Sequence, residues 1–195
     1  MADKIDLTGV AGAASEIQDF CLRRGWKYCF IGGLAVQAWA LPRSTIDADL
    51  TLLTGFGNEE RFIDEMLKHF QFRYPNARDF ALRNWVLLLW SSNQTEVDIG
   101  LGASPFEENS IRRSVLVEIA VNCRLRVCCD EDLIVHKAFA ARDQDWADVD
   151  NILMRQGKKL NVPLIFEELE PLVALKEEPT ILDRLRALLR KREVV

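Results

Sequence analysis

The sequence predicts an α+β fold in which a mixed β-sheet is flanked by helices and followed by a helical C-terminal part. Two observations support this class. Between positions 26 and 129, short apolar runs bounded by glycine or polar residues alternate with helix-forming segments, a pattern typical of a single sheet domain. From Asp130 onward, apolar residues recur at helical spacing only. We therefore divide the chain into a core over 1–129 and a helical region over 130–195.

The N-terminal segments predict a helix, a strand and a second helix. Residues 8–24 carry apolar side chains at helical spacing, and Gly25 follows as a stop signal. The aromatic and apolar run 26–32 is typical of a strand, whereas 33–41 is rich in helix formers and ends before Pro42.

The remaining segments predict a sheet of about six strands and a helical C-terminal third. The apolar run 46–53 predicts a strand, and 58–70 predicts a helix with Asn58 as its cap. Four further strands are expected at 85–90, 95–101, 114–121 and 123–129. Four C-terminal helices are expected at 130–142, 143–156, 162–175 and 180–195.

The composition is that of an ordinary globular protein. Of 195 residues, 49% are hydrophobic and 28% charged, and the net charge of −5 argues against non-specific attraction of nucleic acid. No apolar run reaches the ~20 residues of a membrane span and the N-terminal segment lacks a signal-peptide pattern, so we expect a cytoplasmic protein with no membrane partner. The cysteines show no zinc-site spacing and are expected to be free thiols: Cys21, Cys29, Cys123, Cys128 and Cys129.

Two carboxylates share one face of a strand that is otherwise apolar. Asp47 and Asp49 are two positions apart within 46–53, and strand side chains at i and i+2 point the same way, roughly 6 to 7 Å apart. Two anions this close repel each other and lose hydration unless a cation lies between them. Mg²⁺ is the natural candidate, because it prefers carboxylate and phosphate oxygens.

A third acid and a glycine pair extend this site. Asp98 lies between Val97 and Ile99 on another apolar strand, and if that strand is adjacent, three acids could hold two divalent ions ~4 Å apart and stabilise a transferring phosphate. Gly32 and Gly33 follow a strand and precede a helix, so their N–H groups can approach a phosphate closely.

The segment IGGLAVQAWALPRSTIDADL resembles the signature of the nucleotidyltransferase superfamily whose core is shared with polymerase beta. The spacing of Arg43, Thr45, Asp47 and Asp49 is closer still to the AbiEii/AbiGii-type toxins of abortive-infection systems. Their later Lys and Asp-x-x-Asp segment resembles DLIVHKAFAARDQDWADVDNIL, which contains Lys137, Asp145 and Asp148. The resemblance covers roughly residues 26–155.

The resemblance implies transfer of a nucleoside monophosphate from an NTP to an acceptor hydroxyl. It implies that Gly32 and Gly33 hold the triphosphate, that Asp47 and Asp49 bind Mg²⁺, and that Asp98 binds a second ion and helps activate the acceptor. Lys137 would contact the triphosphate, and a phosphate or substrate contact is expected for Arg43 and Thr45. Gln144 departs from the basic residue that relatives often carry before the Asp-x-x-Asp segment, so the role of that segment stays open. The implied acceptor is tRNA or another cellular target, and the implied partner is a cognate antitoxin.

Other interpretations remain at this point. The acceptor could instead be a small molecule such as an antibiotic, or the protein could bind nucleotide or a partner without turnover. Asp47 and Asp49 could face solvent on an edge strand, and Asp98 could end a hairpin. Lys137 could simply cover the core with its aliphatic stem, and the basic tail RLRALLRKR could contact RNA or be a solvated helix face.

Overall fold

One mixed β-sheet lies at the centre of the structure, a computed structural model that describes residues 8–195. Within this range the sheet has seven strands: β1 (Tyr28–Phe30), β2 (Asp47–Leu53), β3 (Gln71–Phe72), β4 (Val86–Trp90), β5 (Glu96–Gly102), β6 (Val115–Ala120) and β7 (Cys123–Val127). Their order across the sheet is β3-β4-β5-β2-β1-β7-β6. Strand β2 runs parallel to β5, and β1 runs parallel to β7, whereas the other neighbours are antiparallel. The predicted mixed sheet is therefore confirmed.

Helices flank this sheet, and after strand β7 the described chain contains helices only. They are α1 (Thr8–Arg23), α2 (Gly32–Trp39), α3 (Glu59–Leu67), α4 (Ala77–Asn84), α5 (Pro105–Arg113), α6 (Asp130–Ala140), α7 (Asp143–Gln156), α8 (Val162–Lys176) and α9 (Thr180–Lys191). Helix α6 contacts α2, α7 and α8, and α7 also contacts α2. Helices α6 and α7 thus pack closely against α2, the helix that begins at the glycine pair.

Three elements were not predicted from the sequence. Strand β3 has two residues at the sheet edge, too few for a periodic pattern, and it raises the expected six strands to seven. Helix α4 begins after Asn76 and ends before Trp85, both in left-handed conformation. Helix α5 did carry a readable signal, a capping box in which Ser104 and Glu107 bond each other's backbone, with proline at the first turn.

Several predicted boundaries need correction, and the helices expected over 58–70 and 180–195 end earlier, at Leu67 and Lys191. The strand expected over 26–32 is shorter, because Gly32 already begins helix α2. Asn58 does stand before helix α3, but its side chain makes no capping hydrogen bond. Gly25 has a φ of 65°, which is consistent with its predicted role as the residue that ends the first helix.

On strands β2 and β5, the buried apolar residues lie on the sheet face opposite to the aspartates. On β2 and β5 the residues Ala48, Leu50, Val97 and Ile99 are fully buried, and helix α1 contacts both strands. All five cysteines within the described chain are free thiols, four buried and Cys129 half-buried. Among the helices of residues 8–195, none has the length and apolar character that crossing a bilayer requires.

Candidate functional site

The parallel pairing of β2 and β5 brings the third acid beside the first two. Asp49 is directly opposite Asp98, and Asp47 is opposite Glu96. Alternation along each strand keeps these four acids on the same sheet face while their apolar neighbours point into the core. The strand that carries Asp98 is therefore adjacent to the strand that carries Asp47 and Asp49, as the three-acid arrangement requires. Asp98 does not lie at the end of a hairpin.

The aspartates destabilise one another when they are ionised. Burial raises the pKa of Asp49 from its ordinary 3.8 to about 6, with further contributions from the charges of Asp47 and Asp98. Burial also raises the pKa of Asp98, and Arg73 opposes this effect. A cation bound at Asp49 would relieve this repulsion, and the excess negative charge therefore marks the position at which a metal ion would be stabilised.

The glycine pair provides the space that strand β2 needs. Gly32 has a φ of 57°, and a Cβ built on it would lie 2.0 Å from Asp49 Oδ2. A Cβ on Gly33 would lie 2.2 Å from Thr45 Oγ1. The backbone N–H of Gly33 also acts on Asp49, where it lowers the pKa against the larger effect of burial. Because both positions exclude any side chain, the helix start can lie directly against the two polar residues.

Thr45 holds the first aspartate in place. Its hydroxyl Oγ1 lies 3.1 Å from Asp47 Oδ1 and donates a hydrogen bond to it. Thr45 is itself buried and Asp47 is half-buried, and the bond between them fixes the orientation of the carboxylate. Thr45 therefore positions Asp47, a role that the sequence pattern did not specify.

Lys137 lies between the two acids of the Asp-x-x-Asp segment. Its Nζ is 2.9 Å from Asp145 Oδ1 and 2.9 Å from Asp148 Oδ2, and all three side chains are almost fully buried. Burial alone would raise the pKa of both carboxyls, but hydrogen bonds and charges from their basic partners outweigh it and hold the pKa of each below its ordinary value. These acids are therefore ionised partners of the lysine rather than helix-dipole residues.

Two arginines complete this network. Arg43 donates two hydrogen bonds to Asp148, from Nε to Oδ1 at 2.7 Å and from Nη2 to Oδ2 at 2.8 Å. Arg142 binds Asp145 through Nε at 2.6 Å. The first contact ties the loop before β2 to helix α7 across 105 positions of the chain. The role left open for Asp145 and Asp148 is thus described geometrically: they hold three cations at one site.

Gln144, the departure from the family pattern, bonds Asp148 Oδ1 at 3.3 Å. It contributes a neutral hydrogen bond at a place where Arg43 already supplies positive charge.

No protein-family model and no curated protein sequence match this chain. Solved structures do resemble it. An antigenic nucleotidyltransferase-like protein from Paracoccidioides brasiliensis superposes with a TM-score of 0.55 at 13% identity, over 94% of each chain. The antibiotic-resistance factor ANT(2'')-Ia superposes with a TM-score of 0.52 at 14% identity, over 91% of this chain and 96% of its own. The chain has the nucleotidyltransferase fold.

A cleft of about 430 Å³ opens on the acidic face of this nucleotidyltransferase fold. Its lining residues come from the glycine turn, the loop before β2, strand β2 and the C-terminal helices: Gly33, Arg43, Ser44, Thr45, Ile46, Asp47, Asp49, Lys137, Arg142, Gln144 and Asp145. The lining combines the two carboxylates of β2 with three basic side chains and the carboxylate of Asp145. Such a cleft can bind a metal ion and a polyanion side by side.

Asp47 and Asp49 fit a divalent metal ion, because both are carboxylates that line the cleft and repel each other. The wider set of three aspartates is less compact. In the part of the chain that the structure describes, the only three ligating side chains that all approach within 4.8 Å are Cys129, Asp130 and Glu131. Asp98 is absent from the cleft lining as well, so it stands at the side of the site rather than inside it.

Arg73 is a site residue that the sequence did not reveal. It follows the short strand β3, and its Nη1 donates a hydrogen bond to Asp98 Oδ1. Its Nη2 lies 3.0 Å from Glu96 Oε2. No local pattern could have found it, because β3 is too short to be predicted and the partners lie 23 and 25 positions later.

The two histidines lie in separate environments away from the aspartates. His136 is buried against Phe106, with ring centroids 4.8 Å apart, and burial lowers its pKa to about 4. His69 lies over Phe20 beside Arg24. Neither geometry contributes to the cleft.

Proposed function

We propose that this protein transfers a nucleoside monophosphate from an NTP to a hydroxyl group of an acceptor. The observation that carries the proposal is the cleft that two carboxylates, Asp47 and Asp49, line together with basic side chains. An NTP needs both kinds of side chain, because its metal-bound phosphates require oxygen ligands for the ion and cations for the remaining charge. The nucleotidyltransferase fold supports the same reaction.

Each residue has a definite task in this reaction. Lys137, Arg43 and Arg142 would bind the triphosphate, and the buried acids of helix α7 would keep these cations oriented. Asp47 and Asp49 would hold Mg²⁺. When bound, the ion supplies positive charge to the transferring phosphate.

The chemistry is a displacement at the α-phosphorus. The acceptor oxygen forms a bond to the α-phosphorus, the bond to the β-phosphate oxygen breaks, and pyrophosphate leaves. The hydroxyl proton would pass to Asp98, whose Oδ1 is bonded to Arg73 and whose Oδ2 is not used by that bond. Asp98 borders the cleft through its neighbour Asp49, so the acceptor would approach from the β4 and β5 side.

We favour a small-molecule acceptor over RNA because the chain has a net charge of −5, which does not attract a polyanion. Four cations of the basic tail also have partners within the chain: Arg184 over the Trp146 ring, Arg186 with Glu170 and Asp183, and Lys191 and Arg192 with Asp150. The fold similarity to an antibiotic-resistance factor supports the same acceptor class. An AbiEii-like toxin that modifies tRNA and pairs with an antitoxin is the second candidate, and it rests on the motif resemblance.

Labelling with α-³²P NTPs and Mg²⁺ in a cell extract tests the proposal. The wild-type chain should transfer label to an acceptor and release pyrophosphate, and Asp47→Asn should lower the rate by at least two orders of magnitude. Asp19→Asn, which alters an exposed carboxyl of helix α1, is the matched control and should retain activity. Equal labelling by the wild type and Asp47→Asn would refute catalysis.

The labelled product identifies the acceptor class. Label in a low-molecular-weight fraction supports the small-molecule proposal, whereas label in tRNA supports the toxin-like alternative. NTP binding without pyrophosphate release would instead indicate a binding module.

A further inference from the structure

The third aspartate is already neutralised by a side chain of the same protein. Arg73 donates a hydrogen bond to Asp98 Oδ1 and lies 3.0 Å from Glu96 Oε2. The carboxylates of Asp98 and Glu96 are therefore both paired with the Arg73 guanidinium, which stays positively charged at any accessible pH.

The structure holds this guanidinium firmly. The Arg73 side chain is only 13% exposed, its guanidinium carbon Cζ lies 5.8 Å from the centre of the Trp90 ring, and its backbone N–H donates to the Leu88 carbonyl oxygen at 3.1 Å. Leu88 is directly opposite Asp98 on the neighbouring strand. The arginine is thus fixed by its own backbone at the level of the carboxylate, unlike a mobile surface ion pair.

A second divalent ion at this place would meet an unfavourable environment. It would have to share Asp98 with Arg73, and the two like charges would repel each other at short range. The three aspartates also fail to form one compact set of ligand atoms within the described residues. By contrast, Asp47 and Asp49 line the cleft and have no arginine partner among the ion pairs of the described chain.

We infer that Arg73 takes the place of the second metal ion, so that the site binds one divalent ion at Asp47 and Asp49 and uses the guanidinium to hold Asp98. This inference rests on the proposed function and departs from the two ions that the family resemblance implies. Arg73 is then a positioning residue: it acts through Asp98, whose free Oδ2 is left for the acceptor hydroxyl.

Counting bound Mn²⁺ tests the inference without relying on turnover. Mn²⁺ is titrated into the full chain, alone and with the α,β-methylene analogues of the four NTPs, and bound ions are followed by electron paramagnetic resonance. The wild type and Arg73→Lys should bind one ion per chain with the uncoupled six-line spectrum. Arg73→Gln, which frees Asp98, should bind two ions that are spin-coupled because they lie ~4 Å apart.

Arg78→Gln is the matched control. Arg78 pairs with Glu60 and Asp64 on helix α3, so this variant removes the same charge without touching Asp98, and it should still bind one ion. Circular dichroism confirms that each variant is folded.

The outcomes separate the two proposals. Two ions in the wild type, or one ion in Arg73→Gln, would overturn the role of Arg73 while leaving the nucleotidyltransferase proposal intact. No bound ion in the wild type under any condition would overturn both.

Discussion

Replacing Asp49 by asparagine should stabilise the metal-free protein, although it removes a proposed metal ligand. Burial and the neighbouring acids raise the pKa of Asp49 from 3.8 to about 6. The ionised carboxylate is therefore unfavourable in the folded state by about 2 pKa units, which corresponds to about 3 kcal/mol at most. Asparagine keeps the shape and one acceptor oxygen but has no charge.

The sign of the pH dependence follows from the direction of this shift. Because the folded pKa is raised, the folded state binds more protons than the unfolded state between the two pKa values, and stability falls as pH rises through this window. The Asp49→Asn variant does not undergo this fall in stability, because asparagine does not ionise. Its gain in unfolding free energy should be near zero at about pH 4 and should reach up to about 3 kcal/mol at pH 8.

Urea denaturation in EDTA across this pH range measures the effect. Asp19→Asn, at an exposed position of helix α1, should show no comparable pH-dependent gain. Addition of Mg²⁺ should stabilise the wild type and not the Asp49→Asn variant, because ligand binding to the folded state raises its apparent stability. An Asp49→Asn variant that is less stable than the wild type at pH 8 without metal, or a gain that does not vary with pH, would refute the reasoning.

Three further predictions follow from the contacts of the cleft. Asp148→Asn should weaken the chain at pH 7 by about 3 kcal/mol, because it leaves Arg43 and Lys137 with a buried partner missing. The pKa of Asp148 is lowered in the folded state, so the difference in unfolding free energy between wild type and variant should shrink as pH falls through that folded pKa. Urea denaturation at several pH values measures this difference, and a difference that does not change with pH would contradict the reasoning. Thr45→Val removes the 3.1 Å bond to Asp47 and should weaken Mn²⁺ binding about fivefold, as measured by titration calorimetry; unchanged affinity would show that Thr45 does not orient the carboxylate. Gly32→Ala should destabilise the chain by more than Gly57→Ala, because a Cβ at Gly32 meets Asp49 whereas a Cβ at Gly57 meets no atom within 4 Å. For Gly57→Ala the positive φ alone costs roughly 1–2 kcal/mol. Equal shifts in the thermal unfolding midpoint would contradict the close approach of Gly32 to Asp49.

Much of the fold was readable because its signals are local. The alternation that puts Asp47 and Asp49 on one face is a property of a single strand, and the helical period beyond Asp130 correctly predicted an all-helical C-terminal part. The errors lie where local signals are weak. Strand β3 is two residues long, and helix α4 has only eight residues, about two turns, in which a period can show.

For the candidate site, the sequence offered residue types but not their contacts. Lys137, Asp145 and Asp148 were recognisable as a group, but the Arg43 partner of Asp148 lies 105 positions away. A sequence pattern has no information on which of several cations a buried acid will select, because that choice depends on how helix α7 packs beside the loop before β2.

The sequence by itself determined the paired aspartates, the glycine turn and most of the strands and helices, because side-chain direction and helix or strand period depend on neighbouring residues only. Tertiary structure alone decided that Asp98 stands opposite Asp49 in parallel strands and that Arg73 holds it. Strand register and ion pairing arise from contacts between distant segments, whose free energies are balanced only when the whole chain is packed.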